Sequence, residues 1–123
     1  MTELTEGRVS FLEIGSADMA STRDFFGAVF DWPCHEGPWF QTPDLKAGLH
    51  GEDPAPQIYV YFNVADLEAT AARVRAAGGE TEEPTDEPGF GRFINCRDPG
   101  GIRFGLHQST RQDRHESGYQ SAP

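Results

Sequence analysis

Basic residues, cysteines and long apolar runs are all scarce in this chain of 123 residues. It carries 10 Lys and Arg against 20 Asp and Glu, a formal net charge of −10. That balance argues against binding to nucleic-acid phosphates or to anionic membranes. It is compatible with a cationic ligand, although an acidic surface ordinarily serves solubility. No stretch approaches the ~20 apolar residues that a membrane-spanning helix needs.

The two cysteines, Cys34 and Cys96, are not in CxxC spacing, which disfavours a zinc knuckle and indicates reduced thiols. The polar segment from Met1 to Ser10 lacks the apolar run of a signal peptide. We therefore expect a cytoplasmic protein without disulfide bonds.

The sequence contains an internal repeat. The segment that starts at Asp18 recurs at Asp66, and the tripeptide that starts at Gly48 recurs at Gly105. Two copies of one supersecondary unit indicate a pseudo-twofold structure with a cavity between its halves.

Hydrophobic periodicity and turn residues predict similar elements in both copies. The first copy has a strand at 9–14, a helix at 18–30 and short strands at 39–42 and 47–50; the second has a strand at 57–64, a helix at 66–77, an acidic strand or loop at 80–89 and a hairpin of 91–97 with 102–107. We expect one domain, residues 1–108, with modules at about 8–51 and 57–108. Residues 109–123 are polar and aperiodic, which predicts a disordered tail.

This pattern resembles the vicinal-oxygen-chelate superfamily, which includes glyoxalase I, extradiol dioxygenases and bleomycin-binding proteins. The resemblance covers roughly 8–108 and rests on the repeated β-α-β-β-β module, on the segment 25–32 that ends the first helix and on Arg97-Asp98-Pro99-Gly100-Gly101 before the last strand. It implies an α+β fold in which two tandem modules form an incompletely closed eight-stranded barrel, completed in a homodimer. Such a fold does not by itself define a function.

The resemblance also implies four metal-ligand positions, which fall on Phe11, Gly48, Tyr59 and Gly105. Divalent metals prefer imidazole, carboxylate or thiolate donors, and none of these residues supplies one. We therefore expect no metal cofactor. Glycines and aromatic residues at these positions favour a pocket for a flat organic ligand. The alternative is a pocket filled by its own aromatic side chains.

Alternation along the strands selects the residues that face the predicted cavity. The predicted ligand-binding residues are Phe11, Glu13, Trp39, His50, Tyr59, Tyr61, Arg103 and His107. Glu13 is open to two interpretations: an ion pair with Arg103, or a ligand contact that can act as a general base.

We thus expect a metal-independent protein that binds, and sequesters, a small organic drug or metabolite as a homodimer, with no nucleic-acid or membrane partner. One alternative is a lyase, isomerase or dioxygenase. It would use Glu13 as a base, or a displaced metal site of His50, His107 and Glu13. Another is a dimeric accessory protein without a ligand.

Overall fold

The computed structural model describes residues 6–108 and has a mixed α+β fold. Its elements are β1 (Val9–Gly15), α1 (Met19–Phe30), β2 (Cys34–His35), β3 (Trp39–Gln41), β4 (Lys46–His50), β5 (Gln57–Asn63), α2 (Leu67–Ala76), β6 (Glu80–Thr81), β7 (Thr85–Glu87), β8 (Gly91–Arg97) and β9 (Arg103–Gln108). The tail predicted at 109–123 lies outside the described residues. Neither α1 nor α2 is long and apolar enough to cross a membrane.

The described chain divides into two compact units, residues 11–59 and residues 6–10 with 60–108. In the first unit the strands follow the order β2-β3-β4-β1, and β1 runs parallel to β4. In the second unit β5 runs parallel to β9, β9 pairs with β8, and β8 pairs with both β6 and β7. Each unit thus joins its first and last strands in parallel, which confirms the predicted module repeat.

Aspartates begin both helices, as the sequence predicts. The Asp18 carboxylate accepts a hydrogen bond from the Ser21 backbone N–H at 3.2 Å, and Asp66 accepts one from Ala69 at 3.0 Å. Such caps contribute about 1 kcal/mol each, because they satisfy N–H groups that have no partner within the helix. Beyond the end of α2, Gly78 has φ +97°, a conformation that side chains other than glycine rarely adopt.

Each unit has its own apolar core, formed by residues of its strands and of its helix. The core of the 11–59 unit comprises Ile14, Phe40, Ala47 and Leu49, with Leu12, Phe26 and Trp32 packed against it. The core of the other unit comprises Val64, Leu67, Ala71, Ile94, Cys96 and Leu106, with Val74 and Phe104 packed against it. The remaining apolar residues of α1, including Phe25 and Phe30, are exposed. The apolar residues of this helix are therefore only partly buried.

The second module differs from the eight-strand expectation at its edge. The acidic segment 80–89 forms two short strands, and both pair antiparallel with β8. The Glu82 backbone N–H still donates to the Asn95 carbonyl at 2.9 Å. Pro84 cannot donate a ladder hydrogen bond, which explains why one edge strand is broken into two.

Candidate functional site

In the 11–59 unit a row of residues crosses three adjacent strands on the face opposite the core. Glu13 on β1 and Trp39 on β3 are both in register with Gly48 on β4. Residues paired in this way project from the same face of a sheet. A Cβ atom on Gly48 would lie 3.1 Å from the Phe11 ring and closer still to Glu13 Oε1. The space above this glycine is therefore occupied by Phe11 and by the Glu13 carboxylate.

His50 lies between two carboxylates at the end of this face. Its Nδ1 atom is 2.6 Å from Glu13 Oε2, and its Nε2 atom is 3.0 Å from Asp53 Oδ2. Ionised carboxylates only accept hydrogen bonds, so both ring nitrogens act as donors when His50 is an imidazolium. Hydrogen bonding to Glu13 is the largest influence that raises the pKa of His50; partial burial opposes it and Asp53 reinforces it. The His50 side chain is 48% exposed, which leaves the cluster open to solvent.

Trp39 lies at the other end of the same face. The His35 ring stacks on it at 4.3 Å between centroids, and Lys46 Nζ lies 4.2 Å from the Trp39 ring centroid. Partial burial lowers the pKa of Lys46. This end of the face is therefore aromatic and cationic, whereas the Glu13 end carries two carboxylates.

In the second unit Tyr61 occupies the space above Gly105. The two residues are in register on β5 and β9, and Gly105 is in register with Asn95 on β8. A Cβ atom on Gly105 would lie 3.0 Å or less from three carbons of the Tyr61 ring. Tyr61 is 8% exposed, and its hydroxyl donates to Asn95 Oδ1 at 3.3 Å. At this position the structure supports the alternative in which the pocket is filled by its own aromatic ring.

His107 is buried in this second unit and both of its ring nitrogens have hydrogen-bond partners. Nε2 donates to the Phe90 carbonyl, and Nδ1 lies 3.1 Å from Ser10 Oγ. Since a carbonyl only accepts, Nε2 carries the proton, and in the neutral ring Nδ1 accepts from Ser10. The Phe90 ring stacks on His107 with centroids 3.8 Å apart.

The predicted site residues fall into two sets. Phe11, Glu13, Trp39 and His50 share one face of the 11–59 unit, whereas Tyr61 and His107 lie in the other unit. Tyr59 is buried at the end of the first unit. Arg103 is exposed at the start of β9, in register with Arg97.

Three residues that contact the ring nitrogens of His50 and His107 were not among the predicted site residues. Asp53 lies between the two predicted modules, and its spacing of three residues from His50 was the available signal. Strand alternation places Ser10 on the same face as Leu12 and so away from the predicted cavity, but its Oγ lies 3.1 Å from His107 Nδ1 in the second unit. Nothing in the sequence indicated the role of the Phe90 carbonyl.

The residues present do not fit the divalent metal that the resemblance implies. Gly48 and Gly105 have no side-chain donor, and neighbouring side chains occupy the space above them. Both nitrogens of His50 and of His107 already have hydrogen-bond partners, so either imidazole would have to release one to bind a metal ion. Glu13 and Asp53 contact opposite nitrogens of the His50 ring, so these three side chains do not converge on one point. Between residues 6 and 108, no three His, Cys, Asp or Glu side chains are grouped so that they could hold a metal ion.

Known proteins with similar sequences and structures support the α+β fold described above. Residues 39–106 match the family model of the Glyoxalase/Bleomycin resistance protein/Dioxygenase superfamily, and the chain belongs to that superfamily. Methylmalonyl-CoA epimerase from Mycobacterium tuberculosis superposes with a TM-score of 0.67 at 16% identity, covering 94% of this chain and 95% of that one. Homoprotocatechuate 2,3-dioxygenase from Brevibacterium fuscum gives 0.64 at 17% identity, covering 89% of this chain and 39% of that one. At these identities the likeness shows the fold alone.

Two relatives are similar in sequence. "Putative glyoxylase CFP32" from Mycobacterium tuberculosis is 43% identical over 74 residues, which cover 56% of this chain and 28% of that protein. "Anthracycline biosynthesis protein DnrV" from Streptomyces peucetius is 28% identical over 136 residues, covering 86% of this chain and 48% of that protein. The chain thus spans less than half the length of these relatives.

Proposed function

We propose that this protein binds a small organic molecule without the help of a metal ion, and that it sequesters a drug or metabolite. One observation carries the proposal. At the positions where the superfamily resemblance places metal ligands, the chain has residues without strong donors, and the Glu13 carboxylate and the Tyr61 ring cover the two glycines. The chemistry left at these positions is aromatic contact and hydrogen bonding.

The face around Gly48 supports this function because it combines accessible charge with aromatic surface. Glu13 is 28% exposed and places Oε1 over Gly48 while Oε2 bonds His50. A ligand N–H or O–H group could donate to Oε1, and a flat ring could take the place of Lys46 against Trp39. The relative named for anthracycline biosynthesis is consistent with such a ligand.

The binding test is thermal unfolding with a library of small aromatic compounds in the presence of EDTA. A ligand at 100 times its dissociation constant stabilises the folded state by about 2.7 kcal/mol. We expect stabilisation that persists in EDTA and weakens in Glu13→Gln, but not in the control Asp24→Asn, which changes an exposed carboxylate on α1. Stabilisation that EDTA abolishes and added metal restores would contradict the proposal. A library without any binder would favour the accessory-protein alternative.

We also propose that the protein is a homodimer, since the edges of its sheet and several exposed apolar residues would be covered by a second copy. Val29, Ile58 and Ile102 are each at least half exposed. Light scattering at micromolar concentration should give the dimer mass. A monomer mass would refute the assembly without affecting the binding proposal.

A second candidate function is proton transfer with Glu13 as the general base. The hydrogen-bonded series Glu13–His50–Asp53 supports it, because a protonated His50 would hold the Glu13 carboxylate in place. One structural neighbour is an epimerase, so methylmalonyl-CoA in D₂O is a suitable probe. Deuterium incorporation lost in Glu13→Gln and retained in Asp24→Asn would place this function first. Equal exchange with and without protein would exclude it for this substrate.

A further inference from the structure

The second unit contains a buried side-chain donor without a partner. Asn63 on β5 is in register with His107 on β9, which is in register with Phe93 on β8. Asn63 is 6% exposed, and its Nδ2 atom has no hydrogen-bond partner among residues 6–108. Leaving a buried donor unpaired is unfavourable, so proteins almost always supply a protein group, a water molecule or a ligand.

The polar groups beside Asn63 are engaged elsewhere. His107 Nε2 donates to the Phe90 carbonyl, so the lone pair of the neutral ring lies on Nδ1, which faces Ser10 Oγ. Ser10 Oγ also lies 3.4 Å from the Tyr61 carbonyl. The one Ser10 hydroxyl proton can serve only one of these two contacts at a time. None of the contacts uses the Asn63 amide.

Aromatic rings surround this polar row and give it an apolar border. Phe90 stacks on His107 with an interplanar angle of 6°, and it meets Phe93 and Tyr61 edge to face, each with centroids 5.7 Å apart. Phe90 lies between Gly89 (φ +82°) and Gly91 (φ +117°), conformations that suit glycine. Phe90 is only partly buried, so a ligand ring of similar shape could take its place on His107.

We propose that the Asn63 side-chain amide anchors a neutral acceptor oxygen, such as a ketone, amide or quinone carbonyl, on an aromatic ligand. The inference rests on the proposed small-molecule binding, and it names the class of ligand that the second unit would bind, apart from the Gly48 face of the first unit. A carbonyl oxygen accepts the hydrogen bond without bringing a charge into a buried site. A carboxylate would lose much of its hydration in such a buried site, where the Asn63 amide and the Ser10 hydroxyl carry no charge. An aromatic carbonyl compound therefore fits better than an aromatic acid or a pure hydrocarbon.

The experiment compares acetophenone, ethylbenzene and benzoate, which are similar in size and differ in the acceptor. Binding is followed by NMR of ¹⁵N-labelled protein, with the Asn63 side-chain NH₂ signals as the readout. We expect acetophenone to shift these signals and to bind about fivefold more tightly than ethylbenzene, as one hydrogen bond allows. Benzoate should bind more weakly than acetophenone.

Two variants distinguish an Asn63 amide that binds a ligand from one that only stabilises the fold. Asn63→Leu should abolish the preference for acetophenone and, without ligand, raise the melting temperature, because it removes the unpaired donor. Asn95→Leu is the matched control: its amide has partners, so this change should lower the melting temperature and keep the preference.

The possible failures are distinguishable. Acetophenone and ethylbenzene binding equally, with Asn63 signals unmoved, would overturn the inference and leave the binding function intact. A lower melting temperature for Asn63→Leu would show that a water molecule or protein group already satisfies the amide, which also overturns it. If none of the three compounds binds at its solubility limit, both the inference and aromatic-ligand binding at this unit are refuted.

Discussion

Replacing Gly105 by alanine tests directly whether the Tyr61 ring fills the space above Gly105, one of the positions where the superfamily resemblance places a metal ligand. The new Cβ atom would lie 3.0 Å or less from three carbons of that ring. Overpacking of this kind costs roughly 1–3 kcal/mol of unfolding free energy. In a strand without that contact, Gly→Ala instead stabilises by roughly 0.5–1 kcal/mol, because glycine loses more chain entropy on folding. Whether Gly105→Ala lowers or raises the unfolding free energy therefore shows whether the Tyr61 ring lies above Gly105.

A double-mutant cycle with Tyr61→Ala makes the test specific. Removing the buried ring alone should cost roughly 3–5 kcal/mol, by analogy with Phe or Trp truncation. In that background Gly105→Ala has no ring to meet and should become neutral or stabilising. The two changes should therefore be coupled by roughly 1–4 kcal/mol, which overlaps the range observed for residues in contact. Urea denaturation of the four proteins, analysed with a common m-value, measures this coupling.

Gly27→Ala provides the control, since nothing lies within 4 Å of a Cβ atom at this position on α1. It should stabilise the protein by roughly 0.5–1 kcal/mol in both backgrounds. If Gly105→Ala also stabilises the wild-type protein, or costs the same with and without Tyr61, the ring does not fill this position and the reasoning fails.

The remaining predictions concern titration and thiol reactivity. ¹⁵N NMR should place the pKa of His50 above its ordinary value of 6.5, and Glu13→Gln should lower it more than Asp53→Asn does, because the Glu13 bond is the largest cause; equal effects would contradict this order. Because the pKa of His50 is raised, the stabilisation from protonated His50 is complete below about pH 6.5 and disappears as the pH rises through the pKa of His50 in the folded state. The difference in unfolding free energy between wild type and His50→Gln should follow that course. A difference that grows at alkaline pH would contradict the prediction. Burial raises the pKa of the Cys96 thiol to about 11, whereas Cys34 is exposed. A thiol reagent at pH 8 should modify Cys34 quickly and Cys96 only after unfolding, and two fast thiols in the folded protein would refute this.

Much of the fold follows from local rules that act within a few residues. Helix bounds can be predicted from the sequence because capping involves residues only a few positions apart. This holds for the caps at Asp18 and Asp66 and for the glycines after the second helix. Strand alternation identifies Ile14 and Leu49 as core residues because side chains project with a period of two. The two short strands within 80–89 could not be predicted with definite bounds, since acidic residues and prolines do not indicate where a short strand will pair.

The candidate site was harder to predict from the sequence, because it depends on contacts between residues that are far apart in the chain. Glu13 and His50 could be placed on one face, but their hydrogen bond depends on the parallel register of β1 and β4, which the sequence does not encode locally. The bond between Ser10 and His107 joins residues 97 positions apart. Whether Tyr61 lines a pocket or fills one is decided by side-chain packing, which alternation cannot resolve.

Metal titration tests the central claim, binding without a metal ion, most directly. Protein purified without a histidine tag would be analysed for metal content and then titrated with zinc, nickel, iron(II) and manganese by calorimetry. Metal content well below stoichiometric is predicted, with weak titrations that are unchanged in His50→Ala and His107→Ala. Near-stoichiometric metal that is lost in either variant would contradict the account and place a metal-dependent enzyme first.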